Sequence, residues 1–220
     1  MAAFLRIVFG NRSKDIPAAI GRYALHGCVV AFAMLASGCV SMNQYVDSAL
    51  PKVSYAALKP VEPKQSVQVF LEFRTRGVTN AAGTALLQST VVDTLVKSKM
   101  FSDVLVAPAL SENKLFITID NILVDKDAFG KGFATGLTLG LAGSTVTDGY
   151  IMNTVYVTAT KNEIKHVYRH AIHTTIGNAD APKGLVAVPK GDRNAAPRQA
   201  TEGLVLNLLN DMSKNGEFAK

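Results

Sequence analysis

Three histidines, His166-x3-His170-x2-His173, are the residues whose type and spacing most invite chemistry. Imidazole is the commonest protein ligand for zinc-like metals, and three around one ion with an open position would make a metal-dependent hydrolase. The outcome depends on the element that carries them. On a helix, offsets of four and seven put all three on one face. On a strand, His166 and His170 stand about 13 Å apart on one face and His173 points to the other. A second pattern, Asp125-x-Asp127-x-x-Gly130, has the opening of a calcium loop. Phe129 occupies one of its ligand positions and Gly136 stands where the closing glutamate belongs, so a solvated turn is expected. Nucleophile-elbow, zincin, phosphate-loop and dinucleotide signatures are all absent. No cofactor is expected, and a metal site on the three histidines is a lesser alternative.

The elements that would hold these residues follow from periodicity. Val67, Val69, Leu71 and Phe73 alternate with Gln68, Phe70 and Glu72 to give a first strand. Leu87, Val91 and Leu95, with Val92 and Val96 beside them, form one helical stripe to Ser98, capped by Asn80 and closed by Lys97 and Lys99. Residues 103–107 make a short second strand. Leu115, Ile117 and Ile119 make a third that could continue to Val124, and residues 150–160 a fourth, rich in β-branched and aromatic side chains. For the histidine segment, Ile164, Val167, Tyr168, Ala171 and Ile172 fit a helix face. A hairpin return strand over 168–176 fits as well, and it is preferred because the short Lys161-Asn162-Glu163 turn follows a strong strand and Thr174, Thr175 and Ile176 are β-branched. Residues 177–198, punctuated by Pro182, Gly184, Pro189, Gly191 and Pro197, read as a long loop with basic residues Lys183, Lys190, Arg193 and Arg198. Ala200, Leu204, Leu208 and Met212 mark a final amphipathic helix over 199–213, with 215–220 as a tail.

Upstream, an apolar run from Tyr23 to Ala36 follows Arg22 and closes with Leu35-Ala36-Ser37-Gly38-Cys39. Its 14 residues fall short of the about 20 that a spanning helix needs. The stretch resembles the lipobox of bacterial lipoproteins. That resemblance implies that 1–38 is a signal peptide, that Cys39 becomes an N-terminus carrying three acyl chains, and that membrane lipid is its first partner. Such an anchor is stable, because each buried methylene contributes about 0.8 kcal/mol. Val40 follows the cysteine where aspartate would favour retention in the inner membrane, which implies the outer membrane, on its periplasmic or surface side. Met1 to Gly21 is long for the basic part of such a leader, which fits a start further along the chain. The leader would take with it four of the 23 basic residues and one of the 17 acidic ones, leaving 19 against 16, so the basic balance gives no support for nucleic-acid binding. It would also take Cys28, one of the two cysteines, leaving no disulfide. Residues 39–64, polar and broken by Pro51, Pro60 and Pro63, read as a tether reaching on the order of 80 Å if extended, with Tyr45 and Tyr55 able to dock on the domain.

Between Lys131 and Asp148 lie 16 uncharged residues in which Gly132, Gly136 and Gly140 recur every fourth position. On a helix they make a small-residue stripe suited to close backbone approach. Leu137, Leu139 and Leu141 instead share one face of a strand, so a hairpin or irregular lining stays open, as does a core segment or plain loop. The 128–149 insertion is read as a contact with membrane, a second copy or an envelope partner. The order of 68–72, the helix, Leu123-Val124-Asp125-Lys126-Asp127, the Gly-rich run and Asp148-Gly149-Tyr150-Ile151-Met152-Asn153-Thr154 is similar to that of the TraT surface-exclusion and serum-resistance lipoproteins. This likeness of layout, over roughly 65–160, implies an oligomeric outer-membrane lipoprotein without catalysis.

The expected fold is α+β, one domain over 65–214 in the order β-α-β-β-(insertion)-β-β-α, with a mixed or antiparallel sheet and two helices mainly on one face. The expected role is a structural or interaction one through the insertion. The alternative is lipid or envelope-polymer binding through the 177–198 loop.

Overall fold

The computed structural model describes residues 41–106, 110–124, 144–177 and 179–219. The chain divides into two units, Met1–Val40 and Ser41–Lys220, and all of the described residues belong to the second.

That unit is α+β. Its strands are β1 (Met42–Val46), β2 (Val67–Thr75), β3 (Val78–Thr79), β4 (Val104–Val106), β5 (Asn113–Leu123), β6 (Ser144–Val157) and β7 (Glu163–Ile176). Its helices are α1 (Ala81–Ser98) and α2 (Ala195–Lys214). The strands form one mixed sheet in the order β1-β7-β6-β5-β2-β3, with β4 against the other end of β2's outer edge. β2 runs parallel to β4 and β5, as the helical crossover between them requires, and the remaining pairs are antiparallel.

Alternation along each strand sends one set of side chains to the helices. Val69, Leu115 and Tyr156 are register neighbours on that face, as are Phe73, Ile119 and Met152. They meet Leu87, Val91 and Leu95 of α1 and Leu204, Leu208 and Met212 of α2, all with almost no exposure. The opposite face is more open. There Phe70 and Phe116 stack with ring centroids 4.7 Å apart, and Phe116 keeps 39% of its surface in solvent.

α1 starts as the sequence predicts, with the Asn80 side chain accepting a hydrogen bond from Gly83 N–H at 2.9 Å. Gly83 has a second task. A Cβ there would run into the Phe73 ring, whereas one on Gly203 in α2 would meet nothing nearer than His170 Nε2 at 3.6 Å. Alanine is favoured over glycine in a helix by about 1 kcal/mol, while overpacking costs about 1–3 kcal/mol. Gly83→Ala is thus expected to lower stability by about 1–2 kcal/mol, and Gly203→Ala to raise it by about 0.5–1 kcal/mol, in urea unfolding.

Several expectations give way. Within the stretch read as a tether, the described residues 41–64 are docked on the domain. Met42–Val46 pairs with β7, from Met42 opposite Ile176 to Val46 opposite Ile172, and Leu50, Leu58 and Val61 pack against the core. The outer edge of β7 needs a partner for its backbone groups, and this segment supplies it.

The insertion read as 128–149 also loses its last residues, since Ser144–Gly149 already belongs to β6 and the β-branched Thr145, Val146 and Thr147 extend that strand. α2 begins at Ala195 rather than at 199. Pro197 falls in its first turn, where a missing N–H costs no helical hydrogen bond. The 215–220 tail is largely a 3-10 turn, Glu217–Ala219, that buries Phe218 against Phe101 and Tyr156.

Candidate functional site

The histidines lie on a strand, β7, and its geometry keeps them from converging on one ion. His166 and His170 face the helices, four residues apart, and His173 faces the other way. Among the described residues no three His, Cys, Asp or Glu side chains are placed to hold a metal. The three histidines, the lesser alternative for a metal, thus do not share one site, and each imidazole has surroundings of its own.

His166 Nε2 lies 2.7 Å from Glu217 Oε2, which ties β7 to the C-terminal turn. His173 is 2% exposed. Its Nε2 lies 3.0 Å from Asp47 Oδ2 and its Nδ1 2.9 Å from Thr147 Oγ1. The carboxylate can only accept, so His173 Nε2 donates to it. Asp47 also accepts from Ala49 N–H at 2.6 Å. Burial pushes the Asp47 carboxyl upward, but the hydrogen bonds from His173 and Ala49 outweigh it and hold the group below the ordinary carboxylate range. Asp47, His173 and Thr147 line up as a carboxylate, imidazole and hydroxyl would in nucleophilic catalysis. All three are at least nine-tenths buried, so the arrangement holds β1, β6 and β7 together and offers no hydroxyl to a substrate.

His170 is 7% exposed and its Nδ1 has no partner among the described residues. It lines a cleft of about 470 Å³ between α2 and the segment after β1, with Leu50, Tyr55, Glu202 and Leu206 among its walls. Burial pushes the imidazole down to about 4 from 6.5, against the opposing pull of Asp47. Between those values the unfolded chain takes up a proton that the folded chain refuses, so stability falls as pH is lowered through this window. The loss is expected to reach about 3 kcal/mol by the lower limit. His170→Leu should remove that slope from unfolding curves recorded across the window. At the cleft's rim Tyr55 donates its hydroxyl hydrogen to Glu202 at 2.6 Å. Burial and this carboxylate push the phenol up to about 12, so it stays a donor.

The residues proposed from sequence for anchoring and contact, Cys39 and Gly132, Gly136, Gly140, Leu137, Leu139 and Leu141, lie outside the described residues. The basic loop is partly tied down: Val188 N–H donates to Gln44 at 2.8 Å, and Ala187 bridges Tyr45. Arg198 belongs to α2 and pairs with Asp192 at 2.7 Å. Asp47 and the cleft were missed by sequence reasoning. The separation of 126 positions between Asp47 and His173 leaves no local signal.

No protein-family model and no curated protein matches the chain. Among solved structures it is similar to a PelC dodecamer from Paraburkholderia phytofirmans, at 12% identity over 79% of this chain and 97% of that one, TM-score 0.32. It is also similar to a minor lipoprotein from Acinetobacter baumannii, at 9% identity over 69% and 94%, TM-score 0.35. A lipoprotein from Neisseria meningitidis gives 10% identity over 68% and 99%, TM-score 0.33. At these scores the likenesses carry nothing about ligand, partner or assembly.

Proposed function

We propose that the protein is a lipid-anchored envelope protein whose body has a structural or interaction role, meeting a second copy or an envelope partner through the glycine-rich insertion. The observation that carries the anchor is Leu35-Ala36-Ser37-Gly38-Cys39 at the end of a 14-residue apolar run. Val40 and the TraT-like layout favour the outer membrane. With β1 starting at Met42, only Val40 and Ser41 lie between the acylated cysteine and the sheet, a reach of about 10 Å. The body is thereby held against the bilayer surface instead of at the end of a long tether.

Support for the contact role comes from where the insertion is rooted. Residues 124–143 connect β5 to β6, whose pairing ends at Leu123 opposite Asp148, while Ser144–Thr147 of β6 run on beyond β5. Leu123 and Val146, next to the two ends of this connection, keep 49% and 38% of their surface exposed. Described helices offer no membrane-crossing segment. Light scattering of the detergent-solubilised protein with and without residues 126–143 tests the contact. The intact protein is expected to associate and the shortened one to be monomeric, and equal masses would end this assignment of the insertion.

A further inference from the structure

The cleft beside His170 has no part in anchoring or in the insertion's contact. Its volume of about 470 Å³ is that of a small-molecule site. Val46, Leu50, Val53 and Leu206 give it aliphatic walls. Its titratable groups are chiefly acceptors. Asp47 and Glu202 bring carboxylates, His170 brings a buried ring nitrogen, Nδ1, without a partner among the described residues, and the one cation that the described residues put in the lining, Lys52, is exposed. Of the two carboxylates, Asp47 is already bonded to His173 and Ala49, whereas Glu202 accepts, among the described residues, from Tyr55 alone. An anion would meet repulsion here, and a neutral chain would leave the acceptors unanswered.

We propose that this cleft binds an aliphatic ammonium, with the carbon chain on the apolar walls and the ammonium hydrogens donated to Glu202 and the His170 ring. An ammonium group has three donors and no acceptor, which matches a lining of acceptors. At neutral pH the His170 ring is uncharged and able to accept, because its proton affinity is depressed by burial. The site needs neither the lipid anchor nor the insertion.

The test uses the full chain with histidine ring nitrogens labelled, titrated with hexylammonium, hexanol and hexanoate at neutral pH and followed by nuclear magnetic resonance. His166, engaged with Glu217, serves as the internal control. Hexylammonium is expected to shift the His170 resonance saturably and leave His166 in place. Hexanol should bind at least roughly tenfold more weakly and hexanoate not at all. Glu202→Gln should bring hexylammonium down to the level of hexanol. The proposal is overturned if the three probes act alike, if hexanoate binds best, if none moves His170, or if the preference survives Glu202→Gln.

Discussion

Replacing His173 with leucine is expected to lower stability by about 3–5 kcal/mol, because it leaves the Asp47 carboxylate buried without its main partner. The imidazole donates to Asp47 at 3.0 Å, and Ala49 N–H is the carboxylate's other donor among the described residues. Neither Asp47 nor His173 has appreciable solvent contact, so water cannot replace what is lost. Asp47→Asn combined with His173→Leu should recover part of the deficit, since no charge then remains to be solvated. The pH dependence is separable from that of His170. A depressed carboxyl group contributes stability that is complete above its unfolded value and is lost as pH falls through its folded one. The Asp47 contribution is therefore lost below the 3.8 of an ordinary aspartate, beneath the window in which His170 acts. Unfolding curves for the single and double variants would check both points, and full additivity of the two changes would contradict the pairing.

Phe218→Ala is expected to cost about 3–5 kcal/mol, the usual loss for a buried aromatic truncated to alanine. Phe218 is 7% exposed and meets Phe101 and Tyr156 edge-on, with centroids 5.4 and 5.9 Å away. If 215–220 were a free tail, the substitution would change the unfolding midpoint by almost nothing. Glu217→Gln should cost much less, because it keeps an acceptor for His166. Thermal or urea unfolding of the two variants distinguishes a core turn from a tail.

Much of the fold was legible because the signals were local. The alternation at Val67 to Phe73 and at Leu115 to Ile119 and the spacing of Leu87, Val91 and Leu95 each predict an element that the structure contains. The choice of strand for the histidine segment, resting on Thr174, Thr175 and Ile176, also agrees with β7. What was not legible depends on partners distant in sequence. Met42–Val46 is too short for its pattern to stand out and becomes a strand because β7 has an edge to fill. Phe218 reads as part of a tail because one aromatic has no period, and its place is set by Phe101 and Tyr156. In the same way, the histidine spacing suggests one site, whereas β7 distributes the rings to Glu217, the cleft and Asp47.

Cys39 as the lipid-bearing start of the working protein is the claim on which the proposed role depends. Mass spectrometry of the N-terminal peptide from protein recovered from its native membranes tests this most directly. The expected result is a chain beginning at Cys39 with a mass increment of three acyl chains. An unmodified Cys39 thiol, or a chain that still carries residues 1–38, would contradict it.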